Sequence, residues 1–261
     1  PLSADSWDDL AMSLVEAGHR VISYDRRGFG RSSQPWNGYD YDTLADDLWE
    51  VMEQLKLEDV TLVGFSMGGG EVARYMARHS GQSVAKCALL SSILPFRLKT
   101  DDNPAGTEQA AFDQTAEALK TDRTHFFTGF FKTFFGEDSE ERPVSAELLE
   151  WARGIALQAS LKATIECMRS FSSTDFRGDL PAFTVPTLII SGDEDEPCLQ
   201  PSLYLKRMLP NAGLAIFAKT GHTVNIEEPD AFNREVWNFI ALVEAGKWTP
   251  GDPAALGASL I

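Results

Sequence analysis

Ser66 lies in Gly64-Phe65-Ser66-Met67-Gly68, a stretch that fits G-x-S-x-G. A serine hydroxyl is a poor nucleophile at its ordinary pKa, so it needs a base that titrates near neutrality, which is histidine. The imidazole needs an acceptor on its other ring nitrogen, to fix its tautomer and stabilise the imidazolium. Of the four histidines, His222 follows a strand-like segment, Leu214 to Phe217. His19 precedes its strand-like segment, His79 stands near a helix end, and His125 falls in an aromatic helical stretch. The acid lies in Gly192-Asp193-Glu194-Asp195-Glu196-Pro197. Asp195 is the favoured partner and Asp193 its competitor, while Glu194 and Glu196 fit a solvated turn. The chemistry so defined is acyl transfer, with the Met67 N–H facing a developing oxyanion.

These residues need a scaffold that brings them to one place. Val60 to Phe65 is a β-branched, apolar run, the pattern of a buried strand. Val72, Tyr75, Met76 and His79 recur after it at helical spacing. A strand that turns sharply into a helix exposes Ser66 at the apex, and glycines are needed where a Cβ would clash. Arg20–Tyr24, Val84–Leu90, Thr187–Ser191 and Leu214–Phe217 read as further strands. Pro1–Gly18 reads as a helix capped by Ser6 with Asp9, with Leu10, Leu14 and Val15 as its apolar face. Thr43 with Asp46 reads as the cap of a second helix, which buries Leu44, Leu48, Val51, Met52 and Leu55. Helix and strand alternate, which predicts an α/β fold with a parallel sheet covered on both faces. Functional groups of such a sheet gather at the carboxyl ends of the strands, where Ser66, the acid and His222 all fall.

The alternation stops between Ser91 and Leu180. Helical segments are predicted there over about 107–120, 122–135, 144–158 and 160–171. Phe126, Phe127, Phe130 and Phe131 belong to a broad aromatic face that continues to Phe134 and Phe135. That face either packs against neighbouring helices or walls an apolar pocket. The organisation that results is a core over 1–91, a helical cap over 92–180, a second core portion over 181–245 and a tail over 246–261.

A net charge of −16 argues against nucleic acid and anionic membrane surfaces, and mildly against anionic substrates. Cys87, Cys167 and Cys198 are odd in number, far apart and without a C-x-x-C. They fit reduced thiols in a cytoplasm and supply no metal or disulfide framework. Asp25-Arg26-Arg27-Gly28-Phe29-Gly30-Arg31-Ser32 reads as a turn locked by Arg–carboxylate pairs.

With these residues placed, the chain resembles the α/β-hydrolase superfamily, whose chain order is Ser, Asp, His. Tyr24 through Ser32, Gly38 through Thr43, Gly64 through Tyr75 and Leu98 through Pro104 are similar to the cofactor-free bacterial haloperoxidase, aryl-esterase and γ-lactamase group. The resemblance implies a triad of Ser66, Asp195 and His222 beneath a helical cap, with no cofactor and no metal. It implies hydrolysis of small esters, amides or lactams, with perhydrolysis of carboxylic acids as an alternative activity. A catalytically silent ligand-binding protein on the same fold is the alternative from another class. The partner implied is a small molecule, and a homo-oligomer is compatible. Members of the group carry further strands before the first helix, ending in a His-Gly-aromatic segment that gives the second oxyanion donor. By that resemblance, such a segment is expected before Pro1. Two places depart from the group's pattern. Pro197 follows Asp195 closely, and Gly221 through Pro229 looks like α/β-hydrolases in general.

Overall fold

Four apolar runs supply the sheet, and the helices after them cover it. The computed structural model describes residues 1–135 and 144–250. In it β1 (Val60–Phe65), β2 (Val84–Leu90), β3 (Thr187–Gly192) and β4 (Ala212–Phe217) lie side by side in that order, all parallel. Every residue of β3 is buried, as a central strand with both faces covered requires. One face packs on α2 (Tyr41–Gln54) and α3 (Met67–Arg78) through Leu44, Leu48, Val72 and Met76. The other packs on α1 (Asp8–Glu16) and the C-terminal helix Pro229–Glu244 through Leu10, Leu14, Phe232 and Val236. No helix among the described residues is long and apolar enough to cross a membrane.

Between β2 and β3 the chain builds helices only: α4 (Gln109–Phe134), α5 (Ala146–Gln158) and α6 (Leu161–Ser173). The first of these is two helices in one. Asp122 has φ −155° and ψ 87°, and its carboxylate accepts the His125 N–H at 2.9 Å, so it caps the second half. That break falls between the two helical segments predicted from the sequence. Residues 136–143 and the tail beyond residue 250 lie outside the described residues.

Several sequence expectations are corrected. Arg20–Tyr24 belongs to no strand ladder among the described residues. A strand exists only through its hydrogen-bonded neighbour, and Arg20–Tyr24 has no ladder partner among the described residues, though it lines the same cavity as β1. β1 is accordingly an edge of the described sheet, paired with β2 alone. The Ser6–Asp9 capping box does not form. Ser6 Oγ donates instead to Ser3 O at 2.8 Å, within a 3₁₀ turn over Ala4–Trp7 that precedes α1. Val15 is 57% exposed, because the burying face of so short a helix is spent on Leu10 and Leu14. Asp40, not Thr43, caps α2: its backbone is extended and its Oδ1 accepts the Thr43 N–H at 2.9 Å. The helix thus takes in Tyr41, which is buried, and frees Asp46 to pair with Arg78. Leu55 lies at the frayed end of α2 and is exposed.

Candidate active site

The nucleophile position is set by backbone geometry. Ser66 joins β1 to α3 with φ 52° and ψ −114°, a strained conformation for a residue with a Cβ. Its N–H donates to Leu90 O at 2.9 Å, and its carbonyl accepts the Ile93 N–H at 3.2 Å. A Cβ on Gly64 would come within 2.7 Å of the Gly68 carbonyl oxygen, so strand and helix can approach only over glycine. Gly68 is different: a Cβ there would meet nothing closer than the Arg26 guanidinium at 3.7 Å. The first turn of α3 carries no side-chain cap, which leaves the positive end of its dipole aimed at the Ser66 side chain.

His222, the candidate base, arrives from the loop after β4. His222 Nε2 lies 3.0 Å from Ser66 Oγ, and His222 Nδ1 lies 2.9 Å from Asp195 Oδ2. The ring packs against Phe65 and Phe134, which also touch each other, each with its centroid 5.0 Å from the imidazole. The loop beyond β3 separates the two rival acids by burial. The Asp195 side chain is 1% exposed, whereas Asp193 faces solvent and its Oδ1 accepts the Thr220 N–H at 3.3 Å. Pro197 fits its position, because it enters the first turn of α7 (Glu196–Met208), where a missing N–H costs nothing. The other histidines stand elsewhere: His79 stacks on Trp49 and contacts Asp46, and His125 is exposed on α4.

Glu227 was not singled out by the sequence reading. It sits in α8 (Val224–Glu227), and its Oε2 accepts the Gly221 N–H at 2.8 Å. Its Oε1 accepts the Thr223 N–H at 2.9 Å and the Thr223 hydroxyl at 2.8 Å. The carboxylate therefore grips the backbone on both sides of His222. Glu227 falls within the Gly221–Pro229 stretch that looks like α/β-hydrolases in general, but with Glu228 beside it the spacing alone does not say which acid turns back to the loop. Its role follows only from the loop's return onto the final helix, α9 (Pro229–Glu244).

The Arg-rich turn is the carboxylate lock that its sequence predicts. Asp25 accepts the Ala4 and Arg31 N–H groups, each at 2.8 Å, and pairs with the Arg31 guanidinium. Burial pushes the Asp25 carboxyl up, but these bonds and the Arg31 charge outweigh it and hold it below the usual range. Arg27 forks onto Asp47. Arg26 and the Tyr24 hydroxyl both engage Glu71, buried on α3, which ties the elbow helix to this turn. Burial, then the Glu71 charge, push the Tyr24 phenol well above its ordinary value, so it remains a donor.

Ser66, Met67, Asp195 and His222 line one end of a cavity of about 1470 Å³ that extends along β1. Phe126, Phe127 and Phe130 also line it, with Phe126 and Phe130 only partly buried. Phe131 does not. It is 1% exposed and stacks between Phe127 and Phe135 inside the helical layer, one turn further along the face of Phe127, where the buried cluster with Ala152 and Ala156 encloses it. Phe134, which belongs to the aromatic face but is not among the candidate pocket residues read from the sequence, lines the cavity and touches His222.

The arrangement can take a proton from a serine hydroxyl and hold the resulting imidazolium against a buried carboxylate. Residues 1–229 match the family model described as the alpha/beta hydrolase fold, and the chain belongs to that family. Within it, the chain is 38% identical over 245 residues to a non-heme haloperoxidase of Rhodococcus erythropolis, covering 92% of this chain and 89% of the relative. Its structure resembles a bromoperoxidase from Bacillus anthracis with a TM-score of 0.89 at 41% identity, covering 92% and 88% of the two chains. It also resembles an esterase from Exiguobacterium antarcticum, with a TM-score of 0.87 at 32% identity and the same coverage.

Proposed function

We propose that this protein is a serine hydrolase that cleaves small, neutral, fairly apolar carboxylic esters, amides or lactams. The observation that carries the reading is the unbroken chain of contacts from Ser66 Oγ through His222 to Asp195, at 3.0 and 2.9 Å. Ser66 attacks the carbonyl carbon while His222 Nε2 takes the hydroxyl proton. The Met67 N–H receives the oxyanion. Collapse of the tetrahedral intermediate breaks the ester bond, and His222 returns its proton to the leaving alcohol. Water then repeats the sequence on the acyl-enzyme, and Asp195 holds the imidazole in the productive tautomer throughout. Phe126, Phe127, Phe130 and Phe134 offer the acyl group an apolar wall, so α4 to α6 act as a cap over the site. A surface with a net charge of −16 suits neutral substrates better than anionic ones.

A second reading is favoured by the haloperoxidase and bromoperoxidase relatives. If peroxide replaces water at the acyl-enzyme, the product is a peracid, which oxidises halide in solution with no metal or haem. A single screen separates the two: p-nitrophenyl esters of graded chain length, each assayed with and without peroxide plus bromide. Ester turnover that is lost when a fluorophosphonate labels Ser66 supports the hydrolase. Bromination dependent on a carboxylic acid supports the perhydrolase as well. No labelling and no turnover on any ester would leave a silent binding protein.

A further inference from the structure

Cys198 has no part in the hydrolytic scheme, yet it stands one helical turn past Asp195 at the start of α7, on the same face. Its Sγ lies 3.9 Å from His222 Nδ1, which is itself 2.9 Å from Asp195 Oδ2. One ligand atom from each of the three residues falls within 4.8 Å of the others. We infer that Asp195, Cys198 and His222 Nδ1 form a binding site for a soft divalent cation such as Zn²⁺ or Cd²⁺, and that its occupancy silences ester turnover. The silencing rests on the proposed role of His222; the binding does not.

Tetrahedral zinc, with bonds of about 2.3 Å to sulfur and about 2.0 Å to nitrogen, needs an S···N separation of about 3.5 Å. The Cys198 Sγ–His222 Nδ1 pair, at 3.9 Å, reaches that separation by a shift of about 0.4 Å, and all three ligand atoms lie within 4.8 Å of one another. Its donors are one thiolate, one imidazole and one carboxylate, the soft and borderline set that selects zinc-like ions over Mg²⁺ and Ca²⁺. Asp195 and Cys198 are 3% and 2% exposed, so an uncompensated charge here would be costly. A divalent cation with one thiolate and one carboxylate is neutral overall. All three residues line the cavity that reaches Ser66, which gives the ion a way in and leaves a fourth position for water.

The proton count predicts the effect on activity. Binding releases the thiol proton to solvent. The metal takes the Nδ1 lone pair, so the ring's remaining proton sits on Nε2. A protonated Nε2 cannot accept the Ser66 proton, and the nucleophile is disarmed until the metal leaves.

The experiment titrates chelator-treated protein with Cd²⁺ and follows the thiolate-to-cadmium charge-transfer absorption, then assays ester turnover against Zn²⁺. Wild type should show one thiolate-bound equivalent. Micromolar Zn²⁺ should lower its turnover by about tenfold or more, and EDTA should restore it. Cys198→Ser and Cys198→Ala should keep ester turnover and lose both the absorption and the inhibition, while Cys167→Ala should behave as wild type. The inference is overturned if wild type shows no cadmium–thiolate band at millimolar Cd²⁺, or if inhibition persists undiminished in both Cys198 variants. If wild type turns over no ester at all, the hydrolase reading fails, and the cadmium band still decides the site.

Discussion

Ser66 and His222 meet at 3.0 Å but are held by unlike means. The serine is fixed by main chain: a positive φ, two backbone hydrogen bonds to the end of β2 and the segment after it, and a glycine contact beneath. The histidine is fixed by side chains: Asp195 on one ring nitrogen, Glu227 on the flanking amides, Phe65 and Phe134 against the ring at an angle. A backbone-held group is displaced only by adding atoms that do not fit. A group held by side chains is displaced by losing a single oxygen.

The largest effect should come from removing either partner outright. Ser66→Ala and His222→Ala should each lower kcat for a p-nitrophenyl ester by a factor on the order of 10⁶. The double variant should be no worse, because such groups act as a unit. Unequal losses, or acyl-enzyme formation surviving Ser66→Ala, would break the pairing itself.

Asp195→Asn should cost about 10⁴ in kcat through the wrong imidazole tautomer, the size of loss known in another serine triad. Asp193→Asn should leave kcat within a few-fold of wild type. The reverse order would show that the exposed acid, not the buried one, orients His222. A smaller loss, about 10²-fold in kcat with little change in KM, is expected for Glu227→Gln, because one amide grip is lost and the ring drifts. Proton NMR of the His222 ring would register that drift. An unchanged ring signal with only a lowered Tm would reduce Glu227 to a structural brace.

The serine side should respond to glycine replacement by instability instead. Gly64→Ala should lower stability by about 1–3 kcal/mol in urea titration, since the neighbour is backbone and cannot yield. Gly68→Ala has room at 3.7 Å and should be neutral or gain up to about 1 kcal/mol from helix propensity. Equal damage at both glycines would mean the turn is constrained by something other than contact at Gly64.

The same contrast explains what could be read in the sequence. The elbow was legible because strand pattern, glycines, serine and helical pattern are contiguous from Val60 to Arg78. The helices of residues 109–173, including the break at Asp122, followed from periodicity. His222 and Asp195 were legible only through their places after strands. Glu227 was not, because its partners are amides of a loop whose path no periodicity encodes. Arg20–Tyr24 misleads for a related reason: its residues suit a strand, but pairing is decided by what lies beside it. Phe131 and Phe134 differ by a rotation on one helix, and which of them faces the cavity depends on how that helix leans.

The interruption at Asp122 bears on how this protein can change over generations. An unbroken helix the length of α4 is a rod about 39 Å long, and a tilt at one end is transmitted to the other. With a joint at Asp122 the two halves take separate angles, yet Ala116 and Leu119 of the first share a buried cluster with Phe127, Phe131 and Phe135 of the second. The joint therefore leaves the exposed positions of residues 109–121 room to drift, while Ala116 and Leu119 stay tied to the shape of the cavity wall.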